Sequence, residues 1–427
     1  NIMWLDLIKN NKNYLPHKIV ALNKICAQDY KKVTLGLGLG SFLVFCNLYY
    51  FQPLLPYFMV KFNATELQVN WLFSSTSLAI ALSLLPWAIL SEIIGRRPIM
   101  RCSLILIPCI NFLMFISADL HTLILLRAAL GIALAGFIAV AVAYMAEELE
   151  PPAMLIAIGG YISANTLGGI IGRIYGGVMT DIIGLQWTTL TMSILSGIAL
   201  LIIFPLILKQ RHFIARQGRL QHHVIQIVRH IKNPNLIFAM LIGGLNFSVF
   251  INIFSVMGFK LSAAPISLPA SLLSLMFLCY LSGTLSARLS GRWMHNNSLF
   301  SGLLLGIGIS LVGLIILSLQ TMLTIIIGLL VLSAGAFFIH ALAYSHIGRS
   351  ATQGKSTATA LYLVMYYSGG SVGGFILIYC WQIEGWWAVL AATSIIYTMM
   401  LSLVFALKWV SRNPIIATNN ELESCQA

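Results

Sequence analysis

Long apolar runs alternate with short polar breaks along nearly the whole chain of 427 residues. A helix needs about 20 apolar residues to cross the hydrocarbon core of a bilayer. Twelve runs reach that length, and we number them spans 1 to 12 in chain order. They cover residues 33–59, 68–90, 99–118, 121–145, 153–180, 185–208, 235–259, 267–287, 298–318, 322–345, 357–380 and 385–410. Each run is apolar on every side and too long for a membrane strand, so the pattern predicts an all-α membrane protein with twelve transmembrane helices.

The overall composition agrees with this class. Hydrophobic residues make up 59% of the chain and charged residues only 9%, and the mean hydropathy is +0.90. A soluble globular chain contains about 25% charged residues. The composition therefore excludes an ordinary soluble protein.

Basic residues are distributed unevenly between the predicted loops. The net charge is +13, and 21 of the 25 Lys and Arg residues fall in cytoplasmic segments if the N-terminus is cytoplasmic. The predicted outer loops contain only Lys61 and Lys260, and Arg127 and Arg173 lie within spans. Cytoplasmic loops of membrane proteins are enriched in Lys and Arg. We therefore predict that both termini are cytoplasmic, and that the positive charge reports topology in the bilayer rather than binding to nucleic acid.

A hydrophilic stretch at residues 209–234 divides the spans into six and six. The halves repeat weakly: the segments that begin at Tyr161 and Tyr362 both read Tyr, six residues, Gly-Gly, two residues, Gly. Parallel repeats of this kind are a transporter design, with the substrate site between them near the membrane midplane. We predict a tail at 1–32, a six-helix bundle at 33–208, a cytoplasmic linker at 209–234, a second bundle at 235–410 and a tail at 411–427. We also expect no removable signal peptide.

The sequence offers no constellation typical of an enzyme. The seven cysteines are scattered without a CxxC pair, so we predict no disulfide framework and no structural metal. The glycines of "GLGLG" at 36–40 follow no predicted strand, which excludes a dinucleotide site. An enzyme would need acids, bases or metal ligands that converge at one level, and we find none. We therefore predict a protein that is not an enzyme and has no cofactor.

The stretch "SEIIGRRP" interrupts the apolar pattern between spans 2 and 3. It places Glu92, Arg96 and Arg97 around Gly95, where the chain must reverse at the cytoplasmic face. Glycine tolerates a tight turn or a positive φ, and the arginines lie where headgroups and helix C-termini attract cations. The corresponding stretch of the second half, "SARLSGRW", contributes Arg288 and Arg292.

These residues resemble the loop signature of the major facilitator superfamily, although Ala88 replaces its first glycine and Ile93 its first arginine. "YYFQPLLP", "AEEL", "GGIIGR" and "SGGSVGG" resemble the acriflavine-sensitivity branch of bacterial inner-membrane carriers. The resemblance covers residues from about 33 to 410. It implies two parallel six-helix bundles in the bacterial inner membrane, a small-molecule substrate, and a protein that functions as a monomer.

The resemblance also implies that "SEIIGRRP" acts as a cytoplasmic latch. We expect Glu92 to pair with the start of span 11, where Lys355 adds positive charge to free N–H groups. Such a contact would hold the outward-open state. The alternative is a purely topological role in which the arginines keep the loop inside. The predicted gating residues are Glu92, Gly95, Arg96, Arg97, Arg288, Arg292 and Lys355.

Ionisable residues at membrane depth are costly and serve as candidates for proton coupling. "RAALG" at Arg127 resembles the span-4 signature of proton antiporters, and the alternative is an arginine that snorkels to the outer headgroups. His340 lies in span 10 and is a candidate because histidine as a residue type titrates near physiological pH; the alternative is a buried imidazole bonded to a backbone carbonyl. Glu147 and Glu148 close span 4 as gate or coupling acids, or as solvated ends.

Arg173 and Asp181 complete the coupling candidates. Arg173 lies in the outer half of span 5, and Asp181, eight residues on, is on nearly the same helix face about 12 Å along. They could clamp an outer gate, or each could face headgroups separately.

Amides and phenols in the spans suit a cavity for amphipathic organic molecules, although they also suit plain interhelical hydrogen bonds. Prolines 53 and 56 should distort the outer end of span 1. The cavity candidates are Asn47, Tyr49, Gln52, Asn165, Asn246, Asn252, Tyr362 and Tyr366. Glycines at intervals of four should allow close helix packing: Gly168, Gly172 and Gly176 in span 5, and Gly370 and Gly374 in span 11.

Together these features predict a secondary carrier that works by alternating access, with proton-coupled efflux of small organic or drug-like compounds. The alternative is uptake or exchange of a specific metabolite. A non-transporting receptor or a membrane enzyme fits the sequence less well. No carboxylate lies deep in spans 1, 2, 7 or 8, so a lipophilic cation would lack an obvious counter-charge.

Overall fold

The computed structural model describes residues 27–149, 151–210, 220–351 and 353–412. Within them the chain is almost entirely α-helical and contains no strand, in agreement with the predicted class. Most of the predicted tails and the basic part of the linker, residues 211–219, lie outside the described residues. We call the end of the bundle with Arg96 the inner end and the end with Asp181 the outer end, following the predicted orientation.

Ten helical stretches of the described residues are long and apolar enough to cross a membrane. Six are single spans: Glu66–Ile94, Arg96–Ile116 and Leu120–Glu148 form spans 2 to 4, and Pro234–Ser262, Leu299–Leu317 and Met322–Ser350 form spans 7, 9 and 10. The ends are capped locally. At the start of span 4, hydrogen bonds from Thr122 to the Asp119 carboxylate hold the pKa of Asp119 below its usual range.

Two helices are long enough to cross twice. Pro151–Leu206 has 56 residues and is interrupted at Gly184, where φ is +78°. The Tyr175 hydroxyl lies 2.6 Å from the Thr191 hydroxyl, a separation that would be about 24 Å in a straight helix. The chain therefore reverses at Gly184, and the two arms are spans 5 and 6. Lys355–Arg412, of 58 residues, is interrupted in the same way at Glu384 and Gly385 and contains spans 11 and 12.

Spans 1 and 8 are both broken in their outer halves. In span 1 the helix Ala27–Tyr49 gives way to a 3₁₀ turn at Gln52–Leu54 and a short helix at Leu55–Phe62. Prolines 53 and 56 lack the N–H that a continuous helix requires, which agrees with the predicted distortion. Span 8 consists of Ala270–Leu275, a 3₁₀ turn at Met276–Cys279 and Tyr280–Asn296.

Glycines allow the closest helix pairs. Span 5 packs against span 1, and a Cβ on Gly172 would lie 2.6 Å from Cys46 Cα. Gly168 and Gly176, one turn away on either side, meet the carbonyls of Phe42 and Tyr50. Span 11 packs against span 7, where Gly370 faces the ring of Phe247. Between the halves, span 2 packs against span 11 and span 5 against span 8.

A separate helix, Leu220–Lys232, belongs to the linker and lies outside the spans. It packs on the segment before span 11: His230 contacts the Gly354 carbonyl at 3.2 Å, and Thr357 donates to Gln226 at 3.2 Å. Burial lowers the pKa of His230. The linker helix therefore joins the inner end of span 11.

Candidate functional site

Direct contacts close the outer end between the first six spans and the last six. Asp181, after span 5, accepts a hydrogen bond from the Ser271 N–H at 2.7 Å. The Ser371 hydroxyl of span 11 donates to the Ser74 carbonyl of span 2 at 3.0 Å. Gln382 donates to Glu66 at 2.6 Å, also between these halves. The outer halves of spans 2 and 11 and of spans 5 and 8 are thus held together.

Gln52 is the central member of this outer closure. The 3₁₀ turn that Pro53 imposes on span 1 carries its side chain into the interface, where it is 2% exposed. Its amide donates to the Ile251 carbonyl and the Ser255 hydroxyl of span 7, both at 3.1 Å. Its oxygen accepts from Arg173 Nε at 2.8 Å. Gln52 therefore links spans 1 and 5 to span 7.

Arg173 is fully buried beside Gln52 and is surrounded by aromatic rings. Its guanidinium lies 3.8 Å from the ring centroid of Tyr49, 4.4 Å from that of Phe277 and 4.9 Å from that of Tyr280. Nη1 donates to the Gly169 carbonyl at 2.8 Å, whereas Nη2 has no hydrogen-bond partner among the described residues. The expectation that Arg173 could face headgroups separately is wrong. Arg173 and Asp181 both contact the last six spans, through different partners.

Arg127 is also fully buried, but each of its three side-chain nitrogens donates a hydrogen bond. Nε donates to the Leu72 carbonyl at 3.0 Å, Nη1 to Asn47 at 2.9 Å and Nη2 to Leu48 at 2.7 Å. The last carbonyls of a helix have no intrahelical partner, and the first helix of span 1 ends at Tyr49. Arg127 therefore caps the break in span 1. The alternative of an arginine that snorkels to the outer headgroups is wrong.

The predicted cavity amides mostly bond between or along helices. Asn47 joins spans 3 and 6, because it accepts from Asn111 at 2.6 Å and donates to Ser196 at 3.2 Å. Asn246 donates to the Ala336 carbonyl, and Asn252 donates to the carbonyls of Ser248 and Gly370. Asn165 is half-buried, and its Oδ1 has no partner among the described residues.

His340 lies in an aromatic cluster of the last six spans. The Tyr362 hydroxyl is 2.8 Å from His340 Nδ1, and the Tyr366 ring centroid is 4.5 Å from that of the imidazole. Tyr366 stacks on Phe247 at 3.9 Å. The sequence predicts a backbone carbonyl as the alternative partner of the His340 imidazole. In the structure the partner of Nδ1 is the phenol of Tyr362. The structure thus brings together His340, Tyr362 and Tyr366 from spans 10 and 11.

The inner end carries a network of charged and polar groups. Gly95, with a φ of +100°, ends span 2 and begins span 3. Arg96 Nη2 lies 3.0 Å from Glu147 and 3.9 Å from Glu92. Gln210 donates to Glu147 at 3.2 Å and accepts from the N–H of Arg97 at 3.1 Å. This network joins spans 2, 3, 4 and 6 within the first half.

The other predicted gating residues lie apart from this network. Arg288, Arg292 and Lys355 are exposed. The coupling candidate Glu148 is buried, so the alternative of a solvated span end is wrong for this residue. A small cavity of about 20 Å³ lies between spans 2 and 11 at the inner end, next to the linker helix. Its lining residues are Leu85, Ala88, Ile89, Glu92, Ile227, Ser356, Thr357 and Ala360. Glu92 and the start of span 11 therefore line the same cavity.

A family model described as Major Facilitator Superfamily matches residues 37–374. The chain belongs to the Major Facilitator Superfamily. Its fold is the major facilitator fold, and it is a membrane carrier of small molecules rather than an enzyme.

Relatives and solved structures agree with this family. The chain is 32% identical over 361 residues to the uncharacterized MFS-type transporter YybF of Bacillus subtilis. The aligned region covers 84% of this chain and 89% of that protein. It is 29% identical to the inner membrane transport protein YnfM of Escherichia coli over 84% of this chain and 86% of that one. The crystal structure of a bacterial homolog of the human lysosomal transporter Spinster, in an inward-facing and unoccupied conformation, superposes with a TM-score of 0.65. The superposition with this structure covers 93% of this chain and 99% of that one at 16% sequence identity. At this identity the similarity shows the fold alone.

Several interface residues of this superfamily member were not predicted from sequence. Phe277 and Tyr280 stack on Arg173, and Ser255 and Ser271 bond across the halves. Aromatic and small hydroxyl residues in an apolar span are indistinguishable from packing residues by pattern alone. The sequence contains one indication of Phe277 and Tyr280. Arg173 has no acidic residue near it in span 5, so its partners must come from another span.

Proposed function

We propose that this carrier works by alternating access between two six-span bundles, as the sequence predicts. The supporting observation is the asymmetry between its two ends. Hydrogen bonds join spans of the two halves at the outer end through Gln52, Asp181 and Ser371, whereas a small cavity lies between spans 2 and 11 at the inner end. Alternate opening at the two ends would require the outer contacts to break and the inner ends of spans 2 and 11 to approach.

We propose that transport is coupled to protons and that His340 carries the proton. No Asp or Glu lies within a predicted span, and His340 is the one histidine more than a turn inside a span. An imidazole titrates near neutral pH, and the phenol of Tyr362 gives this one a hydrogen-bond partner at 2.8 Å. A proton at this depth would therefore reside on His340 in part of the cycle.

We propose efflux of small organic compounds across the bacterial inner membrane by a monomer with both termini cytoplasmic. The basic bias of the inner loops supports the orientation. The resemblance of spans 1, 4, 5 and 11 to the acriflavine-sensitivity branch supports the direction. Uptake or exchange of a specific metabolite is the alternative. Uptake would move the compound in the opposite direction across the membrane.

Transport by inverted and right-side-out vesicles tests this proposal. Inverted vesicles that contain the carrier should accumulate compounds of a mixed panel when energised, and an uncoupler should abolish the accumulation. Accumulation only in right-side-out vesicles would replace efflux by uptake. No carrier-dependent flux of any compound in either orientation, for protein that is inserted and folded, would refute the function.

A further inference from the structure

Arg173 is a buried cation with no ion pair among the described residues. It lies about 16 Å along span 5 from the turn at Gly184, in the outer half of the span, and it is fully buried. No acidic residue lies within any predicted span. A buried charge without an ionic partner is strongly unfavourable. Its present partners, Gln52 and the Gly169 carbonyl, are neutral.

The guanidinium retains unused donors. An arginine has five N–H donors in a planar fork that matches a carboxylate. Two of the Arg173 donors bond to described residues, through Nε and Nη1, and Nη2 is unpartnered among them. The buried hydroxyl of Tyr280, whose ring lies 4.9 Å from the guanidinium, likewise has no partner there.

The two buried arginines differ in this respect. All three nitrogens of Arg127 donate to carbonyls, at the break in span 1 and on span 2, which gives that residue a structural role. Arg173 lies instead where spans 1, 5 and 8 meet, and its rings come from both halves. In this conformation span 8 covers it, so a ligand reaches it when spans 5 and 8 separate.

We infer that Arg173 binds the carboxylate of the transported compound, with the Tyr280 hydroxyl as a second donor and the rings of Tyr49 and Phe277 against its apolar body. The substrate class is therefore an organic acid with an aromatic or apolar group. This inference rests on the proposed function, since it concerns the substrate of the same carrier. A charge-assisted hydrogen bond to a carboxylate is among the strongest available in a water-excluded site.

Ligand binding to the purified full chain in nanodiscs tests the assignment without transport. The probes are 2-naphthoate, 4-phenylbutyrate and octanoate, each paired with its neutral primary amide, and 2-naphthylmethylammonium as the cation. We expect at least one acid to bind with a Kd at least tenfold lower than its amide. Arg173→Gln should remove that preference, and Tyr280→Phe should weaken acid binding severalfold.

Arg101→Gln is the matched control, because Arg101 also lies against a ring, 3.8 Å from the centroid of Phe204, but at the inner end of span 3. It should leave the preference for acids intact. If Arg173→Gln does not fold, Arg173→Lys and the selectivity of the unmodified protein still test the site. Equal binding of acid and amide by the unmodified protein, or preferred binding of the cation, overturns the assignment.

The vesicle experiment separates this inference from the proposed function. Acid binding that depends on Arg173, without flux in either vesicle orientation, would refute transport and leave the binding site. Flux of neutral or cationic compounds without any preference for acids would leave the carrier function and refute the role of Arg173.

Discussion

The carboxylate of Asp181 accepts a hydrogen bond from the backbone N–H of Ser271 at 2.7 Å, which joins the outer end of span 5 to the start of span 8. The two residues belong to opposite halves of the chain. A carboxylate stabilises the free N–H groups in the first turn of a helix. This contact must break whenever the outer end opens.

Crosslinking of this pair should stop the transport cycle. In a variant without native cysteines, Asp181→Cys with Ser271→Cys should form a disulfide that abolishes transport, and a reductant should restore it. Thr180→Cys with Thr188→Cys is the control, because these hydroxyls are 3.3 Å apart within the first half. Full transport by the oxidised Asp181–Ser271 pair would contradict an outer gate at this position.

The second prediction concerns the packing of spans 1 and 5. Gly172→Ala should destabilise the protein by about 1 to 3 kcal/mol, because the new methyl would overlap Cys46 and core overpacking costs this much. Gly159→Ala in the same span meets no atom within 4 Å and should be neutral or slightly stabilising. Thermal unfolding in detergent, followed by tryptophan fluorescence, compares the two. Equal unfolding midpoints of the two variants would contradict tight packing of spans 1 and 5 at Gly172.

The third prediction concerns Arg127. Arg127→Met should lower the unfolding free energy by about 2 to 4 kcal/mol, because three buried carbonyls lose their donor. Arg127→Lys should recover part of the loss, since an ammonium can reach fewer of them. The exposed Arg292→Gln serves as the control and should change stability by less than about 0.5 kcal/mol. A stable Arg127→Met that loses only proton-driven transport would instead support the coupling role that the sequence suggested.

The fourth prediction tests proton coupling at His340. His340→Ala should abolish uphill transport and preserve counterflow exchange, because exchange does not need net proton movement. Tyr362→Phe retains the imidazole but removes its 2.8 Å partner, so it should shift the pH dependence of transport without abolishing it. His295→Ala, at an exposed position, is the control. An unchanged pH profile in both His340→Ala and Tyr362→Phe would remove His340 as the proton carrier.

The fifth prediction concerns the stretch "SEIIGRRP" at the inner end. Glu92 lines the small cavity between span 2 and the start of span 11, so we expect it to approach Lys355 when the inner end closes. Glu92→Gln should then favour the inward-open state and slow turnover without preventing insertion. A partly exposed charge pair contributes about 0 to 1 kcal/mol, and about 1.4 kcal/mol changes a population ratio tenfold.

A disulfide provides the direct test of this latch. Glu92→Cys with Lys355→Cys should crosslink in the outward-open state and block transport reversibly. Glu92→Cys with Arg292→Cys is the comparison, because Arg292 is exposed and does not line the cavity. Ready crosslinking of the first pair with undiminished transport would reduce the motif to a topological anchor.

The sequence by itself determined the class and the number of crossings. Each apolar run had to be a helix of about 20 residues, because a bilayer core offers no other partner for backbone N–H and C=O groups. Local chemistry also predicted the break in span 1, since Pro53 and Pro56 cannot donate to the helix. Positive φ at Gly95 followed in the same way from the permissive backbone of glycine.

Only the tertiary structure decided what the two intramembrane arginines do. Hydropathy treats Arg127 and Arg173 alike, as one charge in an apolar run. Arg127 meets carbonyls that lie 55 to 80 residues away in sequence, and Arg173 meets Gln52 at a separation of 121 residues. These partners are brought together by the packing of spans 1, 2 and 5 and by the contact of span 5 with span 8. A hydrogen bond depends on position and angle over a few ångströms, and no periodicity along the chain encodes that geometry.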